Sequence, residues 1–588
     1  MTGFLPQLES LFSAALRKHE LNEGRARYQF DYTHVSPLAI LKELPIEDEF
    51  SFKWLELVGK RALEGLANRK DLDEDSLNTG NQAQKHRSLL ALFERGETAI
   101  AEIKLRVTEA LRFEGRIRAS RSPAKSLEDY ADMFRAIGLP PIAKNFRDDS
   151  VFSSMRVAGP NPVMLQRLKA IDERLPITNA LFQVAAPHDS LDAAIAEGRL
   201  YLADYAVLDG AELGTLPNGQ KYLYAPLALF VITGPRKELL PVAIQCQQKP
   251  AADNPIFTPK DGFNWLIAKT IVETADGNIH EGSTHLARTH LIMEAFVIST
   301  HRQLASAHPL SLLLLPHFQG TLAINNLAWK HLISNGGAVD LLLGGTIDTS
   351  RSVAAHGLQS LNVMNNLLPM TFAQRDVADR DAFPDYPYRD DSLLYWDVIH
   401  EWVTSYLQIY YPDDAHVVED FELQAWSREV SAADGGRING LPNNGVIQRV
   451  QELIELVTFI IYTCSVQHAA VNFPQLDCMS YVPNMPLAGY RPAPTSTTGA
   501  TEADFVAMLP TLDMAELQME VCTLLGGVHY TQLGQYGFAH FHDQRVSAPL
   551  GIFQKRLADT GRTIAERNLT RRPYETLAPS GIPQSINI

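Results

Sequence analysis

The chain has 588 residues, 45% of them hydrophobic and 20% charged, with Lys+Arg 52 against Asp+Glu 68 for a net charge of −16. This ordinary globular composition excludes collagen-like, coiled-coil and disordered classes and leaves room for a large buried core. A surface this acidic gains nothing from counterion release and is repelled by anionic lipid, so no nucleic-acid partner is expected.

The opening MTGFLPQLESLFSAALRKHELNEG has no basic stretch ahead of a long apolar one, so no secretory leader is expected. Residues 1–125 read as a helical N-terminal region. Apolar positions recur at helical spacing in LESLFSAALRKH and in SLLALFERGETAIAEIKLRVTEALRF. No series of short alternating strands predicts a β-barrel here. The basic, proline-interrupted RIRASRSPAKS (116–126) marks the boundary to a main domain over 126–588. At about 199–247 the pattern turns to short aromatic and β-branched runs split by Gly, Pro and Asn, which predicts a small antiparallel sheet. Past Gly262, long amphipathic and fully apolar helices return, without βαβ alternation or a repeat. Charged or Pro-rich segments at 374–392 and 486–504 read as loops. The predicted architecture is mainly α with one minor sheet.

Apolar runs such as 227–232 and 310–315 are too short to cross a bilayer. Cys246, Cys464, Cys478 and Cys522 form no C-x-x-C pair, which suits a reducing compartment. A cytoplasmic monomer is therefore expected. An apolar face on residues 1–30 could touch membranes peripherally, although packing on the main domain is the stronger expectation.

Three histidines sit where the chain is least polar. His285 and His290 open a strongly apolar helix, HEGSTHLARTHLIMEAFVIST, and His468 lies in LVTFIIYTCSVQHAAVNF with Asn472 four residues on. On a regular α-helix a five-residue separation leaves two side chains about 140° apart. One π-type turn would bring them within roughly 50°, and such turns cluster at functional sites. His468 and Asn472 are i, i+4 and share a face. Three imidazoles and an amide oxygen, with no thiolate at hand, suit iron, less often manganese, better than copper(I) or structural zinc. The competing reading is of buried histidines that each make one hydrogen bond. After Glu575 the chain ends TLAPSGIPQSINI with no charged side chain. Such a tail either frays in water or threads inward and presents the Ile588 carboxylate as a hard oxygen donor.

These residues carry a resemblance to the lipoxygenase family over most of the chain from about Asp148 to Ile588. DDSVFSSMRVAGPNP (148–162), NPIFTPKDGFNWLIAKT (254–270), HEGSTHLARTH followed by HRQLASAHPLSLLLLPH (301–317), YWDVIHEWVTSYLQIYY, ELQAW, HAAVNFPQ and the terminal GIPQSINI resemble its motifs in their order. The resemblance implies a large helical catalytic domain without the N-terminal lipid-binding β-barrel, as in compact bacterial members. It implies non-haem iron held by His285, His290, His468, Asn472 and the carboxylate of Ile588, with Glu281 and Gln475 hydrogen-bonding around the ligands. The implied activity is removal of a bis-allylic hydrogen from a polyunsaturated fatty acid and insertion of O₂ to give a hydroperoxide. The cofactor carries that chemistry and the protein supplies position and exclusion of water. Ala328 matches the family's Ala/Gly stereocontrol position, which implies S products. Leu332, Val339, Leu342 and Leu343 match channel-lining positions. Met485 and Leu327 stand where some relatives have arginine, so no carboxylate anchor is named. Two alternatives remain: a hydroperoxide isomerase on the same fold, and a lipid-binding scaffold with a vestigial metal site.

Overall fold

The computed structural model describes residues 3–8, 11–68, 123–216 and 219–588. The predicted helix over 88–113 and most of the proposed boundary at 116–126 lie outside the described residues.

The N-terminal region is helical where described, at Leu11–Arg27 and Phe52–Asn68. Between these helices it adds a ribbon of two short strands, β1 (Phe30–Asp31) and β2 (Ile40–Leu41), that was not predicted from the sequence. Two-residue strands carry no readable alternation, which is why periodicity missed them. Leu11–Arg27 packs against the body: the Arg17 guanidinium meets Glu422 at 2.5 Å, and Tyr28, just past the helix, stacks on His301 at 4.1 Å.

The sheet forms where expected but is wider. Its strands are β3 (Gln166–Arg167), β4 (Leu200–Asp204), β7 (Leu227–Thr233), β8 (Glu238–Gln245) and β9 (Ile256–Phe257), antiparallel in the order β3-β4-β7-β8-β9. Strands β5 (Thr215–Leu216) and β6 (Gly219–Gln220) pair separately. Alternation sorts the two faces of β4. Leu200 and Leu202 pack under the helices Asn179–Ala185 and Leu191–Ala196, while Tyr201 and Ala203 face the main core. A register shift at Leu229/Phe230 accommodates Pro241 on β8, which has no N–H to give the ladder.

Two long helices dominate the core. In the first, the α-helix Phe263–Ile279 runs without a break through a π-helix, His280–Leu291, into the α-helix Ile292–Gln303. It is buried almost all round, and the polar side chains it carries inside, Glu273 and Asp276 among them, are paired there. The second, Val450–Met479, is long and apolar enough to cross a membrane by length and composition, yet 89% of that window is buried inside the protein. The short-run argument from the sequence missed it, because scattered Thr, Ser, Gln and His interrupt the run without ending the helix. Helix Asp149–Ala158 is tied to the first long helix by Arg156, which meets Glu273 at 2.5 Å and Asp276 at 3.1 Å in the interior.

The segment predicted as a loop over 374–392 becomes helical at its end. The helix Pro387–Tyr410 starts inside it, with Pro387 at the first position, where its missing N–H costs nothing. The loop over 486–504 ends at the helix Glu502–Met508, capped reciprocally by Thr501 and Asp504.

Candidate metal centre

Widening of the first long helix extends over the whole of His280–Leu291 rather than a single turn. It brings His285 Nε2 and His290 Nε2 to 3.3 Å. The second long helix delivers His468, whose Nε2 lies 3.4 Å from that of His285 and 3.2 Å from that of His290. All three imidazoles are buried, and among the described residues they are the one group of three or more His, Cys, Asp or Glu placed to share an ion.

For His290 the partners decide which nitrogen carries the proton. His290 Nδ1 donates to Asn325 Oδ1 at 2.8 Å. The Asn325 amide is oriented by its own donations, to the His290 carbonyl at 3.1 Å and to Glu294 at 2.7 Å. His290 Nε2 is therefore a bare lone pair. His285 Nδ1 faces the Glu281 carboxylate at 3.9 Å. Burial, with the neighbouring His285 second, pushes His290 down to about 3. Burial likewise lowers His285 and takes His468 well below the ordinary value. Burial alone would raise Glu281, but His280 and His285 outweigh it and hold the carboxyl down to about 2.

With all three Nε2 atoms unprotonated, as ligation requires, their lone pairs repel unless a cation lies among them. Three nitrogens about 2.1 Å from one centre stand about 3.0–3.4 Å apart when their angles run from octahedral to tetrahedral. The observed edges of 3.2, 3.3 and 3.4 Å fall in that range. The residues present thus fit a metal ion of the kind that takes nitrogen and oxygen donors.

The tail threads inward. Residues 582–588 are all buried, and the Ile588 backbone oxygen stands beside His468. Four hydrogen bonds fix its register: His317 Nδ1 to the Gln584 carbonyl (2.9 Å), Ser585 Oγ to the Gln319 carbonyl (2.8 Å), Thr321 Oγ1 to the Ile586 carbonyl (3.0 Å) and Trp54 Nε1 to the Asn587 carbonyl (2.5 Å). Gly320, at φ +84, makes the turn beside it; a Cβ there would stand 3.1 Å from that of Asn587.

Asn472 follows His468 by one turn and is fully buried. Its Nδ2 donates to the Leu525 carbonyl at 2.8 Å and its Oδ1 accepts from Gln475 Nε2 at 3.0 Å. Ala328, Leu332, Val339, Leu342 and Leu343 line one cavity, which Glu281, His285, His290 and Ile588 close. Among the described residues no lysine or arginine lines it, and neither Leu327 nor Met485 does. Sequence reasoning missed Asn325, Glu294 and Trp54, which position the site. The only local sign of Asn325 is an Asn pair within the apolar AINNLAW, one turn ahead of Ala328.

A family model described as lipoxygenase matches residues 141–584. A linoleate 9/13-lipoxygenase of Pseudomonas aeruginosa is 39% identical over 526 residues, covering 85% of this chain and 76% of that protein. The hydroperoxide isomerase ALOXE3 of Homo sapiens is 34% identical over 474 residues, covering 79% and 66%. An anaerobic crystal structure of a LOX in complex with arachidonate superposes over 100% of this chain and 84% of its own, at TM-score 0.86 and 30% identity. With the converging histidines, the apolar cavity and these matches together, the chain is an enzyme that belongs to the lipoxygenase family.

Proposed function

We propose that this lipoxygenase is an iron-dependent dioxygenase that converts polyunsaturated fatty acids to hydroperoxides of S configuration. The observation that supports it most is the triangle of buried, converging Nε2 atoms at the wall of an apolar cavity, with the chain's last residue beside it. Lipoxygenases generally use non-haem iron. His285, His290, His468, Asn472 and the Ile588 carboxylate would hold the metal, with manganese the alternative. When bound, iron supplies the one-electron acceptor that removal of a bis-allylic hydrogen requires.

The remaining work belongs to the chain. Leu332, Val339, Leu342 and Leu343 give an extended hydrocarbon an apolar wall and keep water from the radical it becomes. Asn325 fixes the orientation of His290 and Gln475 that of Asn472, while the Glu281 carboxylate, 3.9 Å from His285 Nδ1, is that ring's electrostatic partner. The Ala328 methyl shields one end of the pentadienyl system, so that dioxygen reaches the other.

The test is incubation with linoleic acid under an oxygen electrode, with chiral analysis of the products. Oxygen uptake matched by hydroperoxide, mostly S, is expected. The isomerase among the relatives gives a second reading: consumption of added fatty-acid hydroperoxide with no uptake of oxygen would favour it and refute the first.

A further inference from the structure

A cleft of about 360 Å³ lies against the same two long helices and shares no lining residue with the fatty-acid cavity. Thr284 and Arg288 come from His280–Leu291, and Gln467 from the turn that precedes His468. Arg375 and Tyr388 complete its polar wall, while Leu361, Leu368 and Phe459 leave part of it apolar. Among the described residues the lining holds two guanidinium groups and no Asp or Glu.

Neither arginine is neutralised. Among the described residues no carboxylate lies within the 4.0 Å of an ion pair from either one. Arg288 makes a single hydrogen bond, from Nε to the Gly357 carbonyl at 3.3 Å. Arg375 donates to the carbonyls of Thr371 and Leu165 and to the Tyr386 hydroxyl, and its buried Nη2 has no partner. Elsewhere the fold pairs its buried arginines: Arg156 with Glu273 and Asp276, Arg17 with Glu422, Arg389 with Asp390. Arg288 and Arg375 are half-buried, and two like charges facing one cleft without a counter-ion carry a cost that an anion between them would remove.

We propose that this cleft is a binding site for a phosphate group, gripped between Arg288 and Arg375. Guanidinium forks match the oxygens of phosphate in pairs. A phosphate monoester carries roughly −1.5 to −2 charges at neutral pH, close to what two arginines compensate, whereas one carboxylate would leave a cation unmatched. Tyr388 donates to Gln467 Oε1 at 2.6 Å, which leaves the Gln467 amide nitrogen as a further donor. The apolar part of the wall gives room for the carbon of an ester, so the group could arrive free or on a lipid headgroup. The assignment does not depend on the metal or on the reaction.

Calorimetric titration of the full-length protein tests it, with inorganic phosphate in one arm and dihexanoyl phosphatidic acid in the other, against chloride at matched ionic strength. Saturable binding is expected, weakened tenfold or more in Arg288→Gln and in Arg375→Gln, and unchanged in Arg562→Gln, an exposed residue paired with Asp559. Tighter binding of the lipid identifies a headgroup site, and equal binding a free-phosphate site; either supports the proposal. Absence of saturable binding in both arms overturns it, as does binding that neither arginine variant weakens. Should both variants fail to fold, phenylglyoxal labelling of the wild type decides. Phosphate must slow modification of Arg288 and Arg375 at least threefold, and unchanged labelling overturns the assignment.

Discussion

Deletion of Ile588 and the substitution Ile588→Ala should have very different consequences. The side chain is 2% exposed and borders the cavity, so truncating it to Ala removes packing while leaving the terminal carboxylate in register. Buried Ile→Ala changes cost about 2–5 kcal/mol, and a side chain already facing a cavity belongs near the lower end. Deletion instead withdraws the carboxylate by one residue, about 3.3 Å in extended chain, while a metal–oxygen bond is only about 2.0–2.2 Å. The tail cannot slide forward to compensate. Doing so would break the hydrogen bonds that Trp54, His317, Thr321 and Ser585 make in this stretch, each worth about 0.5–1.5 kcal/mol. The assay is metal content by elemental analysis together with oxygen uptake on linoleate. Ile588→Ala should keep its metal and most of its turnover with a lowered melting temperature, and the deletion should lose both metal and turnover. Equal metal content and equal turnover in the two variants would refute the reasoning.

Three further outcomes follow from named contacts. Ala328→Gly removes the methyl group at the cavity wall and should move the S:R product ratio about tenfold towards R, equivalent to about 1.4 kcal/mol; an unchanged chiral profile would sink the stereocontrol assignment. Burial depresses the Lys221 ammonium from 10.5 to about 8, so between those values the unfolded chain binds a proton that the folded chain has lost, and stability rises with pH. Urea unfolding should show the wild type gaining about 3 kcal/mol on Lys221→Met across that window, and a pH-independent difference would contradict the assignment. Gly320→Ala forces a left-handed Ala, costing roughly 1–2 kcal/mol, and crowds Asn587 at the turn that guides the tail. It should lower both melting temperature and metal retention, and wild-type values for both would show that the tail does not depend on this turn.

The fold class was legible because its signal is local. Helical periodicity past Gly262 and alternation in 199–247 each reflect which side of an element meets the core. The edge strands β3 and β9 were not legible, since two residues carry no period and exist only because a neighbouring strand offers a ladder. The five-residue spacing of His285 and His290 posed a geometric problem that only a widened helix solves, and the structure widens it over twelve residues. Asn325 and Glu294, which hold His290, could not be found from spacing. Asn325 comes from the helix Thr321–Leu327, and only tertiary packing brings it to the ring. Trp54 is the extreme case: it lies 533 positions from the carbonyl it holds. Arg288 and Arg375 likewise give no sequence sign of sharing a cleft, because a missing counter-ion is visible only when the whole surrounding wall is known.

The central claim is a single buried iron between three imidazoles and the chain's own terminus. Anomalous diffraction from crystals of the purified protein, recorded just above and just below the iron absorption edge, tests it most directly. The account predicts one peak among the Nε2 atoms of His285, His290 and His468, within bonding distance of the Ile588 carboxylate, present above the edge and lost below it. A peak that persists below the edge, or no peak at that position, would contradict it.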